Sequence, residues 1–266
     1  MTINHRSFAG VNAAVLTPVT DDLLPNDALM VDYSKWLLAN GCNGLAILGT
    51  TGEANSFSLK ERIRIIENLI EGGVPAEVLM PGTGACSITD AIELTKMAVN
   101  AGVGGVLMLP PWYYKNPSDA GLFRFFSEVI QRVSDNRLQI YLYHFPQMSA
   151  TPITYNLIEM LLKTYPDVVS GMKDSSGDLE NMAGAAERFP GFEVMAGAEH
   201  CFYPLLERGG AGCITACSRW CFATSLCTFA IATMMRASST AHTSIVRRAL
   251  ANVERHSRIV RYTRRH

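Results

Sequence analysis

Lys173 is the residue whose position in the sequence most directly suggests chemistry. It follows the mostly apolar run 168–172 and precedes the turn-forming stretch "DSSGD" at 174–178. A lysine amine is a nucleophile only in its neutral form, which burial or neighbouring cations favour. A neutral amine can attack a ketone and form a Schiff base, whose iminium group accepts electrons when an adjacent carbon–carbon bond is made or broken. A lysine at a strand end is more often a solvent-facing charge, so this interpretation needs support from other residues.

A proton carrier and a carboxylate-binding turn are the other parts that such a site requires. Tyr143 ends the apolar run 139–143 and could carry the protons, with the Thr50 hydroxyl as a relay. The turn "GTTGE" at 49–53 could hold a substrate carboxylate on backbone N–H groups, because its glycines permit tight geometry. Both features have simpler explanations: a half-buried tyrosine is common in barrels, and a G-T-T-G turn alone means little.

These residues lie in a sequence in which strand patterns and helix patterns alternate regularly. Eight short apolar runs are candidate strands, at 11–17, 44–48, 78–81, 105–109, 139–143, 168–173, 192–196 and 212–216. Helical patterns lie between most of them, most clearly at 58–73, 90–102 and 156–166. Such alternation predicts βαβ units and a parallel sheet, and eight strands predict a (β/α)8 TIM barrel with its active site at the carboxyl ends of the strands. A doubly wound open sheet is the alternative, but no G-x-G-x-x-G sequence follows the first strand.

Four cysteines near the carboxyl terminus have a spacing that invites a metal-binding interpretation: Cys213, Cys217, Cys221 and Cys227. They lack a C-x-x-C pair and nearby acids, so unpaired core cysteines explain them better. His144 and His200 also lack a second ligand at helical spacing. We therefore predict no metal site and no cofactor, which disfavours a metal-dependent aldolase.

The composition is that of a compact globular protein, with 266 residues, 48% of them hydrophobic and 18% charged. The first ten residues contain no apolar signal core. The charge-free run 220–235 is shorter than the roughly 20 apolar residues that a spanning helix needs. These observations predict a soluble, cytoplasmic protein without a membrane partner.

The last part of the chain has a different composition from the rest. Residues 218–266 contain nine arginines, no lysine and a single acid, Glu254, and the chain has no glycine after Gly212 and no proline after Pro204. We predict a barrel over 1–217 that carries all eight strands, followed by an atypical, truncated or altered helical and basic segment over 218–266. A changed reading frame or lineage divergence would explain the shift, and 220–235 is apolar enough to dock on the barrel as one helix, with a weakly packed basic end after it.

The arginines of this basic segment also raise the possibility of a nucleic-acid-binding module. They are not interleaved with aromatic residues and form no recognisable motif. We therefore predict no nucleic-acid partner.

Four motifs follow one another at the predicted strand ends: "GTTGE" at 49–53, "PPWYYKNPSDAG" at 110–121, Y-x-x-P in "YHFP" at 143–146 and "GMKDSSGD" at 171–178. Together, over about residues 8–217, they resemble the dihydrodipicolinate synthase / N-acetylneuraminate lyase family of class I aldolases. The resemblance implies a (β/α)8 barrel followed by C-terminal helices, usually assembled as a homotetramer of tight dimers. It also implies that the first substrate is pyruvate, or an α-keto acid that yields pyruvate.

The resemblance assigns roles to individual residues. It makes Lys173 the Schiff-base lysine and Tyr143 the proton shuttle. Thr50 and Thr51 would hold the pyruvate carboxylate and connect the relay, in a turn that begins at Gly49. Two further positions match the family's site residues: Tyr114, which would enter the site of the neighbouring subunit, and Ile214, whose backbone would face pyruvate.

Two departures from the family bear on the second substrate. Dihydrodipicolinate synthases have an arginine two residues after the proline of Y-x-x-P, where it binds the carboxylate of the aldehyde; here that residue is Met148, which cannot make this contact. His144 stands where those enzymes commonly have asparagine. The sequence therefore favours a pyruvate-dependent lyase acting on a 2-keto-3-deoxy sugar acid or a related hydroxy-keto acid.

Two other functions stay open at this point. One is 4-hydroxy-tetrahydrodipicolinate synthase, which joins pyruvate to aspartate semialdehyde. The other is a non-catalytic ligand-binding barrel, which is less favoured because binding alone requires no nucleophile.

Overall fold

A computed structural model describes residues 7–216 and shows a parallel β/α barrel. Seven strands form one sheet in the order β2-β1-β7-β6-β5-β4-β3, and every adjacent pair is parallel. The strands are β1 (Gly10–Ala14), β2 (Gly44–Ala46), β3 (Val106–Met108), β4 (Ile140–His144), β5 (Val169–Asp174), β6 (Glu193–Ala196) and β7 (Gly212–Thr215). All seven overlap predicted strands, and the prediction of a (β/α)8 TIM barrel is confirmed.

The eighth member of the ring is irregular, so the predicted strand at 78–81 is wrong as a regular strand. Residues Ala76–Val78 form a short 3-10 helix. The chain then contacts β2 and β3 through isolated bridges only. The Met80 N–H donates to Leu45 O at 2.9 Å and the Leu107 N–H donates to Pro81 O at 2.9 Å, which closes the ring between β2 and β3. Pro81 has no N–H to donate toward β3, the side on which its carbonyl accepts, so the ladder with β3 lacks a bond here.

Helices cover the outside of the barrel and connect successive strands. Within residues 7–216 they are α1 (Asp27–Ala39), α2 (Leu59–Glu71), α3 (Ile88–Asn100), α4 (Asp119–Val133), α5 (Pro146–Ser149), α6 (Tyr155–Thr164), α7 (Leu179–Arg188) and α8 (Glu199–Glu207). The three helices predicted most clearly correspond to α2, α3 and α6. The capping box at the start of α2 is present: the Ser58 side chain accepts from the Glu61 N–H, and the Glu61 carboxylate accepts from the Ser58 N–H at 2.8 Å.

The amino-terminal end of the barrel is filled by aromatic side chains. The rings of Phe8 and Tyr141 meet edge to face with centroids 5.5 Å apart. The Tyr141 hydroxyl donates to Glu193 at 2.8 Å. Gly171 makes room for this packing, because a Cβ there would lie 2.9 Å from the Tyr141 ring. These contacts fill the interior of the barrel at this end, and the carboxyl ends of the strands are left to bind a ligand.

Residues 1–6 and 217–266 lie outside the described part of the chain. The predicted domain boundary at 217, the predicted helix at 220–235 and the predicted basic end therefore stay predictions. Among the helices of residues 7–216, none is long and apolar enough to cross a membrane.

Candidate active site

Lys173 and Tyr143 lie side by side on neighbouring strands. The register of β4 and β5 pairs Tyr143 with Lys173, so both side chains lie on the same face of the sheet. Tyr143 is 4% exposed and Lys173 is 5% exposed, and the Lys173 Nζ donates to the Tyr143 hydroxyl at 3.5 Å. The Nζ also lies 4.6 Å from the centroid of the Tyr143 ring. The structure therefore buries the lysine against the tyrosine, and Lys173 is not a solvent-facing charge.

Thr50 extends this contact toward solvent. Its Oγ1 lies 3.2 Å from the Tyr143 hydroxyl, and either oxygen can be the donor. Thr50 itself is exposed. An amine, a phenol and a hydroxyl thus form a chain from the buried Lys173 to the open end of the barrel. Groups in such a chain can pass protons, since each hydroxyl can both donate and accept.

The "GTTGE" turn is built on an unusual backbone. Leu48, which precedes it, is buried and has φ 53°, a left-handed conformation that is costly for a branched side chain. The Thr17 hydroxyl donates to Gly52 O at 2.7 Å and fastens the turn to the chain that follows β1. A Cβ on Gly52 would lie 2.8 Å from Val15 O, whereas a Cβ on Gly49 would meet nothing within 4 Å. Gly52 is therefore needed for packing, and Gly49 borders open space where a ligand could lie.

Ile214 and Thr51 complete the sides of this end of the barrel. Ile214, on β7, is fully buried and belongs to the cluster inside the barrel that also contains Met195 and Tyr143. Met195 is the β6 residue paired with Lys173. Thr51 is half buried and directly follows Thr50.

Tyr114 and Met148 are placed differently from the buried group. Tyr114 is 84% exposed, and its ring meets that of Tyr113 edge to face with centroids 5.2 Å apart. Met148 is 59% exposed on the short helix α5, which directly follows β4. Within residues 7–216, no hydrogen bond joins Tyr114 to Lys173, Tyr143 or Thr50. Within one protomer, three of the predicted catalytic residues, Lys173, Tyr143 and Thr50, therefore lie together, and Tyr114 lies at the surface.

Asp174, which the sequence interpretation missed, holds the end of the lysine-bearing strand. It is fully buried, and its carboxylate accepts from the Ser176 N–H at 2.8 Å and from the Asn181 side-chain amide at 2.7 Å. The signal available was an acid directly after the lysine in "GMKDSSGD". The alternation of side chains along β5 places it on the opposite face of the sheet from Lys173.

His144 pairs with Asp174 in the register of β4 and β5. Its Nδ1 accepts the Ile153 N–H at 2.9 Å, which anchors the chain that leaves α5. Burial lowers the pKa of His144, and the carboxylates of Asp174 and Asp178 partly oppose this shift. A neutral imidazole agrees with this contact, because Nδ1 can accept a hydrogen bond only when it carries no proton.

Metal ligands are not clustered in the part of the chain that the structure describes, where no group of three His, Cys, Asp or Glu residues could hold an ion. Burial raises the pKa of Cys213 to about 12, so this thiol stays protonated. Cys217, Cys221 and Cys227 lie outside the described residues. A cleft of about 630 Å³ along α3 and one of about 500 Å³ at the amino-terminal end of the barrel contain none of the predicted site residues.

Comparison with known proteins identifies the family. The model of the dihydrodipicolinate synthetase family matches residues 7–254. The chain belongs to this family. The match extends beyond the predicted domain boundary at 217, and membership makes the protein an enzyme of the class I aldolase and lyase type.

Individual relatives agree with this assignment. An uncharacterised DapA-like lyase from Chloroflexus aurantiacus is 35% identical over 210 residues, which cover 79% of this chain and 70% of the relative. The crystal structure of dihydrodipicolinate synthase from Agrobacterium tumefaciens is 30% identical with a TM-score of 0.77, covering 80% of this chain and 74% of that one. YagE, a prophage protein of the same family from E. coli K12, was crystallised with pyruvate; it is 26% identical with a TM-score of 0.76, covering 93% of this chain and 80% of that one.

Proposed function

We propose that this family member is a Schiff-base-forming lyase that uses or releases pyruvate, with Lys173 as the nucleophile. The observation that carries the proposal is the chain from the buried Lys173 amine through the Tyr143 hydroxyl to Thr50. The pyruvate found with YagE supports the choice of keto acid. A barrel that only binds a ligand would not need a lysine buried beside a tyrosine, since burying an amine costs free energy.

In the cleavage direction, the Lys173 Nζ attacks the C2 carbonyl of a 2-keto acid. Loss of water from the carbinolamine gives an iminium, and Tyr143 supplies the proton that the departing oxygen requires. The iminium then accepts the electron pair of the C3–C4 bond as the C4 hydroxyl gives its proton back to the Tyr143 phenolate and an aldehyde leaves. Protonation of the resulting enamine at C3 and addition of water release pyruvate and the free lysine. Thr50 connects Tyr143 with the open end of the barrel during these transfers.

The carboxylate of the keto acid would lie against the "GTTGE" turn. The space beside Gly49 is open, and the backbone N–H groups of Thr50 and Thr51 follow it directly. The strand bearing Ile214 would form the opposite side through its backbone. In this arrangement the carboxylate is held by neutral donors, so the Lys173 amine is left for the carbonyl carbon.

The presence of Met148 supports a substrate whose aldehyde half carries no carboxylate. A thioether at this exposed position cannot pair with an anion, whereas a neutral polyol needs no such partner. The substrate would then be a 2-keto-3-deoxy sugar acid or a related hydroxy-keto acid. The alternative, 4-hydroxy-tetrahydrodipicolinate synthase, is favoured by the name of the Agrobacterium relative. Values of kcat/KM for a 2-keto-3-deoxy sugar acid and for pyruvate with aspartate semialdehyde separate the two.

The exposed position of Tyr114 supports assembly into a homo-oligomer. A tyrosine that is 84% exposed in one chain is free to enter the site of a neighbouring copy. We therefore include in the proposal that the protein forms a homo-oligomer, together with the cytoplasmic location predicted from the sequence.

The nucleophile is tested by trapping. Pyruvate plus borohydride should leave a reduced adduct that peptide mass spectrometry places on Lys173, and Lys173→Ala should abolish it. Lys115→Ala is the matched control, because Lys115 is an exposed lysine in the segment that carries Tyr114. This control should label as the wild type does, and labelling should survive EDTA. An adduct on another lysine, or none in folded protein, would contradict the assignment.

A further inference from the structure

Arg62, on α2, is a buried cation that the proposed chemistry does not use. It is 6% exposed, and burial lowers its pKa to about 10, an effect that Asp90 partly offsets. Its Nη2 donates to Gly82 O at 2.8 Å and to Gly84 O at 3.3 Å. Within residues 7–216 it forms no ion pair with a carboxylate. Burying a guanidinium against carbonyl groups alone is costly, so the position calls for an explanation.

The two carbonyls belong to a short segment, Gly82–Gly84, that lies between two loops of the site. A Cβ on Gly82 would lie 2.1 Å from Leu48 O, so this glycine packs directly on the backbone where the "GTTGE" turn begins. A Cβ on Gly84 would lie 2.5 Å from Leu109 O, at the start of the segment that carries Tyr114. The Gly82–Gly84 segment therefore touches the backbones of both loops at points where no side chain fits.

Leu48 is the point where this contact matters most. Its left-handed backbone is strained, and such a conformation persists only where the surrounding structure holds it. Gly82 packs against the Leu48 carbonyl, and the Gly82 N–H donates to Ile47 O at 2.8 Å. Thr50 and Thr51 follow within three residues of Leu48. A shift of Gly82 would therefore move the turn that carries the relay hydroxyl and the carboxylate-binding N–H groups.

We propose that Arg62 is a positioning residue for the active site. Its guanidinium holds the Gly82–Gly84 segment through both carbonyls, and this segment holds the "GTTGE" turn in register with Lys173 and Tyr143. Arg62 itself touches neither the substrate nor the reacting groups. A single guanidinium nitrogen, Nη2, carries two N–H groups and can therefore donate to both carbonyls at once. The effect of Arg62 on pyruvate binding rests on the proposed function, whereas its effect on the position of the turn does not.

The first measurement is the pyruvate concentration that gives half-maximal borohydride labelling of Lys173. In Arg62→Leu it should rise by about tenfold or more, because a small misplacement of a binding group has a large effect. Labelling at saturating pyruvate should stay near the wild-type level, because Lys173 and Tyr143 lie on paired strands. Arg62→Lys should recover part of the loss, and added guanidinium ion should recover part of it in Arg62→Leu. Arg64→Leu, an exposed arginine on the same helix, should leave the half-saturating concentration unchanged.

The second measurement is hydrogen exchange, which does not depend on catalysis. In Arg62→Leu, amides of residues 48–54 and 109–118 should exchange faster than in the wild type, whereas those of α6 should not. If Arg62→Leu does not fold, Arg62→Lys should show the same pattern with smaller changes. Uniformly faster exchange, or an unchanged half-saturating concentration in folded variants, would overturn the positioning role. If the wild type itself forms no adduct, the proposed function fails, and the exchange pattern alone decides the role of Arg62.

Discussion

The two sides of the candidate site are held in place in different ways. Lys173 and Tyr143 project from β5 and β4, two regularly paired strands, so their separation follows from the strand register. Thr50 and Thr51 lie in a turn after a strained residue, Leu48, and this turn is held by contacts with Thr17 and Gly82. Changes on the strand side should therefore affect chemistry at an intact site. Changes on the turn side should affect binding, either through packing that lies away from the ligand, as at Gly82, or directly, as at Gly49.

The largest expected effect is on the strand side. Tyr143→Phe removes the hydroxyl between Lys173 and Thr50 and should lower kcat by roughly 10²–10⁴-fold, the usual contribution of a positioned acid–base group. The melting temperature should change little, because the ring stays in the core inside the barrel. Thr50→Val offers a comparison that removes only the outer hydroxyl and should have a smaller effect. A decrease of kcat below threefold in Tyr143→Phe would make the tyrosine structural.

The turn side is tested by a pair of glycines. Gly82→Ala places a methyl group 2.1 Å from Leu48 O and should destabilise the fold by about 1–3 kcal/mol, as overpacking commonly does. Gly49→Ala meets no protein atom within 4 Å and should leave the free energy of unfolding within about 0.5 kcal/mol. It should nevertheless weaken pyruvate binding, since its methyl group enters the space proposed for the ligand. Denaturant unfolding and pyruvate titration measure the two effects, and equal destabilisation by both variants would contradict the contrast.

Specificity for the second substrate should respond more weakly. Met148→Arg should raise kcat/KM for aspartate semialdehyde by up to about fivefold, which corresponds to the roughly 1 kcal/mol of an exposed ion pair. Met148→Gln, which adds polarity without charge, is the matched control and should not produce this gain. Efficient use of aspartate semialdehyde by the wild type would show that Met148 does not exclude it.

The smallest effect concerns stability below neutral pH. Because burial lowers the pKa of folded His144 below its unfolded value, its contribution is complete above about pH 6.5 and is lost as the pH falls through the folded pKa. His144→Asn keeps an acceptor for the Ile153 N–H and removes the titration. Between pH 7 and 5 the variant should lose less stability than the wild type, which denaturant unfolding at each pH measures. If the wild type instead became relatively more stable on acidification, the attraction of Asp174 would outweigh burial.

Local sequence patterns predicted much of this protein correctly. Some features depend only on residues close together in the chain and can therefore be predicted without the tertiary structure. They are the Ser58 cap, the α2 periodicity and the alternation of strands with helices. The order of the motifs at successive strand ends indicated the family. The side-by-side placement of Lys173 and Tyr143 also followed from the sequence, because each is the last residue of a predicted strand and parallel strands end at the same edge; their catalytic roles stay predictions.

Contacts between distant segments were decided only by the tertiary structure. The irregular member at residues 79–83 depends on its hydrogen bonds to β2 and β3, which no local pattern reports. Asp174 and Arg62 resemble ordinary charged residues in the sequence, yet both are buried. Arg62 contacts carbonyls 20 and 22 residues away. The physical reason is that a strand register or a helix cap arises from neighbouring residues, whereas burial of a charge depends on which distant backbone groups the fold brings within hydrogen-bonding distance.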